Sequence, residues 1–213
     1  MRISATVLES FRLFMTEDWM NEGDLLATIR GTVIPTAAMA LGLAFGKVLE
    51  TPTRYRVPGG FRCGLFSWSD ATLAPVFALI DRRGVFEVKA TKSYGECTVV
   101  AQADYVLGSE LTEFKTTDST FNFEKYADSY QWRFMADIFE PRVITYHVFQ
   151  VNDHGNGVVD ITGINSFHVY PYAALHEDCD TLLRQFVAYV TARGVDGVLR
   201  ERHEMMTRAG LQM

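Results

Sequence analysis

Three runs of strand-forming residues separated by turns, Val85–Ala90, Cys97–Val106 and Glu110–Thr116, constrain this chain more than any other stretch. Along them β-branched and aromatic residues alternate with polar ones, and Ser93-Tyr94-Gly95 and Leu107-Gly108-Ser109 supply turn chemistry between them. The runs therefore predict an antiparallel meander. On either side the hydrophobic period becomes helical. Val7, Leu8, Phe11, Phe14 and Met15 recur at helical spacing, with either Ser4 or a Thr6/Glu9 capping box as the start. A second helix is predicted after Pro35-Thr36, through AAMALGLAFGKVLE to Glu50, with Gly42 and Gly46 one turn apart for very close packing and Pro52 as its stop. Residues 51 to 68 carry Pro58-Gly59-Gly60 and Arg54, Arg56 and Arg62, and read as a surface turn or short hairpin outside the core. A short helix from Ala71 to Asp81 precedes the meander.

After the meander the spacing predicts one helix over Phe123–Phe139, closed by Pro141, then two strands, Val143–Val151 and Val158–Tyr170, around the turn at Asn152 to Gly157. A last amphipathic helix runs from Ala173 to Thr191 and ends at Gly194. This order is α/β by content, a mixed central β-sheet flanked by helices. A length of 213 residues suits one domain, expected over 1–195, followed by a polar C-terminal tail or extra helix over 196–213.

Lys and Arg number 20 against 26 Asp and Glu, a formal charge of −6, which argues against coating nucleic acid by bulk electrostatics but leaves room for an enzyme that grips it locally. No run of eighteen apolar residues occurs and the N-terminus lacks the order of a signal peptide, so the expectation is a cytoplasmic protein without a membrane partner. Cys63, Cys97 and Cys179 form no CxxC pair and read as packing residues. His147, His154, His168, His176 and His203 show no ligand spacing, and no phosphate-binding GxxxxGK[ST] segment is present.

The segment that carries chemistry is Gln102 to Thr117. Asp104 lies on one strand, and Glu113 and Lys115, two apart on the next, project from one face. The turn at Gly108 folds one strand onto the other, so a cooperative register brings all three together at one end of the hairpin. Two carboxylates are hard oxygen donors suited to Mg²⁺ or Mn²⁺, with the backbone carbonyl of Phe114 as a third ligand. An adjacent lysine lowers the pKa of an attacking water and offsets charge on a phosphoryl group. That combination serves phosphodiester hydrolysis. The bland alternative is a solvated strand face with cross-strand ion pairs. Glu87-Val88-Lys89 is a second E-x-K on a strand, with no well-placed partner aspartate in the sequence.

Over about residues 3 to 150 the order of motifs resembles the PD-(D/E)XK nuclease superfamily, in particular its RecB-like and phage (lambda-type) exonuclease branch. ISATVLESFRLF resembles the opening helix, AMALGLAFGKVLE the first motif helix, ADYVLGSELTEFKTT the central D…E-x-K-T motif, and YADSYQWRFMADIF the helix with the glutamine motif. The resemblance implies a restriction-endonuclease-like core in which Asp104 and Glu113 bind the metal, Lys115 is the catalytic lysine, Glu50 is the helix carboxylate near the metal, and Gln131 holds substrate or catalytic groups. Tyr126 and Arg133 are then DNA contacts. The chain departs from the pattern at Gly46, where many relatives carry a histidine, and at Met135, where a tyrosine is common; three scattered cysteines exclude the iron–sulfur cluster of some relatives. The activity implied is an Mg²⁺-dependent deoxyribonuclease that trims double-stranded ends in phage-type recombination, replication or repair, in the host cytoplasm if phage-encoded. A basic rim of Arg54, Arg56, Arg62, Lys89, Lys92 and Arg133 would track the DNA. By resemblance alone the partners extend to ring-shaped homo-oligomers and a single-strand annealing or single-strand-binding protein. The rival readings are a nuclease-like fold that binds DNA or protein without turnover, and an endonuclease.

Overall fold

Ser4 closes one element and opens the next. It ends strand β1 (Arg2–Ser4), and its Oγ accepts a hydrogen bond from Val7 N at 3.3 Å to cap helix α1 (Ala5–Thr16), so of the two starts open in the sequence this is the one formed. Val7, Leu8 and Phe11 are buried, but Met15 is exposed and leaves the expected stripe. The structure, a computed structural model, describes residues 1–199. Helix α2 (Glu22–Arg30) occupies a stretch to which the sequence reading assigns nothing; only Leu25 and Ile29 are buried on it, too few to make a helical period stand out. Helix α3 (Ala37–Glu50) follows as predicted, capped by Thr36.

The arginine-bearing stretch is more than a surface turn. After a single 3₁₀ turn (Pro52–Tyr55), strands β2 (Arg56–Val57), β3 (Gly60–Cys63) and β4 (Phe66–Ser69) build a small antiparallel sheet whose Phe61, Cys63 and Trp68 are buried. Helix α4 (Asp70–Phe77) ends before the expected Asp81.

Strands β5 (Val85–Tyr94), β6 (Cys97–Leu107) and β7 (Glu110–Thr117) form the predicted meander, with Tyr94 buried in the strand rather than placed in the turn. The single helix expected over 123–139 is two, α5 (Phe123–Ala127) and α6 (Tyr130–Phe139), because Ser129 Oγ takes Gln131 N and restarts the helix. Strands β8 (Val143–Asp153) and β9 (Val159–Val169) and helix α7 (Leu175–Ala192) complete the order. Most of the expected tail or extra helix, residues 200–213, lies outside the described residues.

Pairing of β6 decides the architecture. Strand β5 pairs along nearly all of it and takes one whole edge. The other edge is shared: β1 runs parallel at Thr98 to Val100, and β7 runs antiparallel only at Tyr105 to Leu107. Past Thr112, β7 parts from β6, while on its other edge it pairs in parallel with β8 from Glu110 to Thr117, setting Glu113 beside Tyr146 and Lys115 beside Val148; β9 then pairs antiparallel to β8. The result is the expected mixed α/β sheet flanked by helices. One face packs Leu8, Phe11, Leu25, Phe134 and Phe186 of α1, α2, α6 and α7. The other packs Phe45 and Val48 of α3, Leu73 of α4 and Trp68 of the small sheet against Phe149. Helix α3 approaches β7 where Gly42 faces Thr116: a Cβ at Gly42 would lie 3.2 Å from Thr116 Oγ1. Gly46 has open space instead, so close packing requires only one of the two glycines. No helix among the described residues is long and apolar enough to cross a membrane.

Candidate active site

The site lies in the fork where β6 and β7 part. Backbone N–H groups left without a ladder partner there need acceptors. Two side chains supply them across the gap: Glu113 Oε1 accepts from Asp104 N at 3.2 Å, and Asp104 Oδ2 accepts from Phe114 N at 2.8 Å. The fork thus fixes both carboxylates by their own strands' backbone. Lys115 completes the group, its Nζ 2.6 Å from Glu113 Oε2 and 3.9 Å from Asp104 Oδ2. The register across the Gly108 turn sets Tyr105 opposite Thr112.

Strand β6 also changes its alternation here. Val99, Ala101 and Ala103 pack with the α1 and α6 layer, whereas Tyr105 meets Phe86 and Phe114 on the other face. The break falls at Asp104. Across from it on β5 stands Glu87, with a φ of 56° that a side-chain-bearing residue seldom adopts, and the ladder skips this pair.

Electrostatically the fork is strained toward positive guests. Glu113 is fully buried, and burial followed by the nearby Asp104 charge pushes its carboxyl up to about 7 against the pull of Lys115. Burial alone would depress Lys115, but Glu113 and Asp104 outweigh it and hold the ammonium well above its ordinary range. Burial also raises Tyr146, with the Glu113 charge adding to it. Glu87 is raised by burial, then by Asp104 and Glu50, which puts all three carboxylates in one neighbourhood. Gln102 Nε2 donates to Glu87.

A divalent cation fits this donor set. Asp104 and Glu113 are hard oxygen donors held by backbone hydrogen bonds, with the Phe114 carbonyl between them in sequence. Among the described residues no group of three His, Cys, Asp or Glu side chains is arranged to enclose a metal. Two carboxylates, a carbonyl and retained water match Mg²⁺ or Mn²⁺ better than a closed protein cage.

Other expected residues are distributed unevenly. Tyr126 and Gln131 line a cavity of about 620 Å³ that reaches Lys115 and Tyr146, on the α1 and α6 side of the sheet. Glu50 ends α3, on the opposite layer. Arg54, Arg56 and Arg62 lie on the 3₁₀ turn and small sheet of that opposite layer, with Arg56 paired to Asp70 and stacked over Phe61. Arg133 instead sits over Tyr130 at 4.4 Å and near Trp132 and Tyr172, and Lys92 pairs with Asp137 of α6 at 3.1 Å. The proposed basic rim is therefore divided between the two faces of the sheet and is not one surface. The sequence reading also passes over two features. Glu87 looks partnerless until the β5/β6 register sets it opposite Asp104; counting back from the hairpin turn is the signal that finds it. Arg12 lies in the cavity wall, held by Glu9, whose other oxygen takes Tyr130 N at 2.6 Å and ties α1 to α6.

No family model matches the sequence, and no curated protein does. Solved structures match over nearly the whole chain. LHK-Exo, an alkaline exonuclease from Laribacter hongkongensis, is 12% identical with a TM-score of 0.53, covering 96% of this chain and 94% of that one. Its complex with dAMP gives 13% identity, a TM-score of 0.53, and coverage of 95% and 94%. A protein from Eubacterium rectale, itself proposed to be an exonuclease, is 10% identical with a TM-score of 0.52, covering 90% of this chain and 81% of that chain. At such identities the likeness is one of fold. The chain shares the fold of the alkaline exonuclease LHK-Exo.

Proposed function

We propose that this protein is a metal-dependent deoxyribonuclease, an exonuclease that hydrolyses phosphodiester bonds at double-stranded DNA ends in phage-type recombination, replication or repair. The observation that carries the reading is the fork itself: Asp104, Glu113 and Lys115 converge through bonds of 2.6 to 3.2 Å, although β6 and β7 no longer pair there. A merely solvated strand face has no reason to bury Glu113 completely beside a second carboxylate.

Asp104, Glu113 and the Phe114 carbonyl are the groups that would hold Mg²⁺ or Mn²⁺, which when bound supplies Lewis-acid stabilisation of the phosphoryl oxygens. Lys115 keeps its proton, so it acts as a fixed cation that orients the attacking water and offsets charge as the oxygen attacks in line, rather than as the base. Glu113 sets the position of that ammonium, and Asp104 sets the spacing of the fork. Glu50, close to Glu87, is placed in the reading as a carboxylate at the rim of the metal site. Gln131 and Tyr126, from the cavity wall, hold the substrate strand. The dAMP complex of the similarly folded exonuclease agrees with a nucleotide product.

The decisive assay compares the protein and its Lys115→Ala variant on end-labelled linear and covalently closed circular DNA, with Mg²⁺, Mn²⁺ or EDTA. Metal-dependent loss of linear DNA alone, abolished by the substitution, is the expected outcome. Cutting of the circle would make it an endonuclease, and DNA binding without cleavage would leave a binding module.

A further inference from the structure

The β8/β9 register brings together two histidines that the sequence keeps far apart. His147 of β8 stands directly opposite Ser166 of β9, and Thr145 stands opposite His168. The two imidazoles therefore share one face of adjacent strands and lie diagonal to each other. Neighbouring strands are about 4.8 Å apart, a gap that two such rings can close onto one ion with bonds of about 2.0–2.1 Å.

Each ring is already oriented. His147 Nδ1 shares a hydrogen bond of 2.7 Å with Ser166 Oγ, and His168 Nδ1 shares one of 3.0 Å with Thr145 Oγ1. With Nδ1 engaged in both, Nε2 is the nitrogen each ring has to offer. His168 is exposed. His147 is largely buried and stacks on the Phe114 ring at 6.0 Å, yet its Nε2 is not among the buried polar atoms that lack a partner, and no described residue bonds to it, so it reaches solvent. Burial, and then the charge of His168, hold His147 below the ordinary histidine range, which leaves the ring neutral with a lone pair.

The other described histidines are placed differently: His154 meets Asp160 and His176 meets Asp137, each a single imidazole beside a carboxylate. The pair is also separate from the fork. Phe114 is the β7 neighbour of His147, so Glu113 and Lys115, one residue to either side of Phe114, project from the opposite face of the sheet. Two neutral nitrogens suit Zn²⁺, Ni²⁺ or Cu²⁺ and not Mg²⁺. No third His, Cys, Asp or Glu among the described residues joins them, so water fills the remaining positions and the ion exchanges.

We propose that His147 and His168 form a second metal site, for a divalent transition metal such as Zn²⁺, held by the two Nε2 atoms and oriented by Ser166 and Thr145. An ion bound there ties β9, the last strand of the sheet, to β8, across a pair whose register shifts between Gln150 and Val151. The inference goes beyond the nuclease reading and does not depend on it.

The full chain, with excess Mg²⁺ to occupy the fork, is titrated with Zn²⁺ by calorimetry at neutral pH, and loaded with Cu²⁺ for electron paramagnetic resonance. One Zn²⁺ per chain is expected, with a raised thermal midpoint, and the Cu²⁺ signal should show coupling to two imidazole nitrogens. His168→Ala, at an exposed position that the fold tolerates, should cancel the rise in midpoint and leave one coupled nitrogen. It should also weaken Zn²⁺ by about tenfold or more, at least what loss of a supporting partner costs a metal site. Asp104→Asn, which removes a fork carboxylate, should leave this Zn²⁺ affinity as in wild type. Absence of Zn²⁺ binding under excess Mg²⁺, wild-type affinity in His168→Ala, a single coupled nitrogen in the wild type, or loss of the site in Asp104→Asn overturns the proposal. None of these measurements involves DNA, so the nuclease reading is decided separately by the Lys115→Ala cleavage assay.

Discussion

Lowering the pH from 8 to 6 should weaken divalent-metal binding about tenfold, with the loss traced to one carboxyl. Glu113 is pushed up to about 7 by burial and by Asp104, so about nine in ten copies are ionised at pH 8 and about one in ten at pH 6. A metal must displace that proton, so the apparent affinity falls by about tenfold over the interval. Lys115 stays protonated throughout, held by Glu113 and Asp104, and adds no slope. The same titration acts on the metal-free fold. Because the folded carboxyl lies above its ordinary value of 4.5, its contribution to stability is fully present below pH 4.5 and is lost as the pH rises through about 7, a change of about 3 kcal/mol. Mn²⁺ titration calorimetry at pH 6, 7 and 8, on the wild type and Glu113→Gln, measures the first effect, and urea unfolding in EDTA the second. Equal Mn²⁺ affinity at pH 6 and pH 8, or a Glu113→Gln variant that keeps the tenfold dependence, would refute the reasoning.

Three other outcomes follow from the packing. Lys115→Met removes the counter-charge of a buried carboxylate and should cost about 3 kcal/mol at pH 8 but much less at pH 5, where Glu113 is protonated; urea unfolding at the two pH values separates the cases. Asp137→Ala leaves the buried Tyr94 hydroxyl without its acceptor and takes the carboxylate from Lys92 and His176, while Lys92 keeps the backbone carbonyl of residue 137, and should destabilise by about 1–3 kcal/mol in chemical unfolding. Gly157 has a φ of 78° and a Cβ there would lie 2.0 Å from Leu65 O, so Gly157→Ala should lift the β8–β9 hairpin off the small sheet, losing the 2.7 Å bond from Ser67 N. A thermal midpoint equal to that of wild type would contradict that account, for which a loss of about 2 kcal/mol is expected.

Much of the site was legible because its spacing is local. Asp104, Glu113 and Lys115 lie within one hairpin, and a tight turn at Gly108 leaves few registers; hydrophobic alternation chooses among them. The D…E-x-K pattern itself needed no long-range information. The basic rim shows the reverse. Arg54, Arg56, Lys92 and Arg133 are separated by tens of residues, and whether they share a surface depends on which face of the sheet each element covers, a matter the local pattern does not contain.

From the sequence by itself came the meander, α3 and its Thr36 start, the β8–β9 hairpin and the D…E-x-K set, since period, caps and turn residues act over a few positions. The tertiary structure alone decided the fork. β5 holds one edge of β6 and β8 holds the far edge of β7, and where β6 and β7 part beyond Tyr105 and Thr112 two backbone N–H groups are taken by Glu113 and Asp104. It also decided that the helix over 123–139 breaks at Ser129, that Glu87 lies across from Asp104, and that residues of α1 and α6 line one cavity with Lys115 and Tyr146. Each of these is set by partners distant in the chain, whose competition for hydrogen bonds and buried area no local pattern can express.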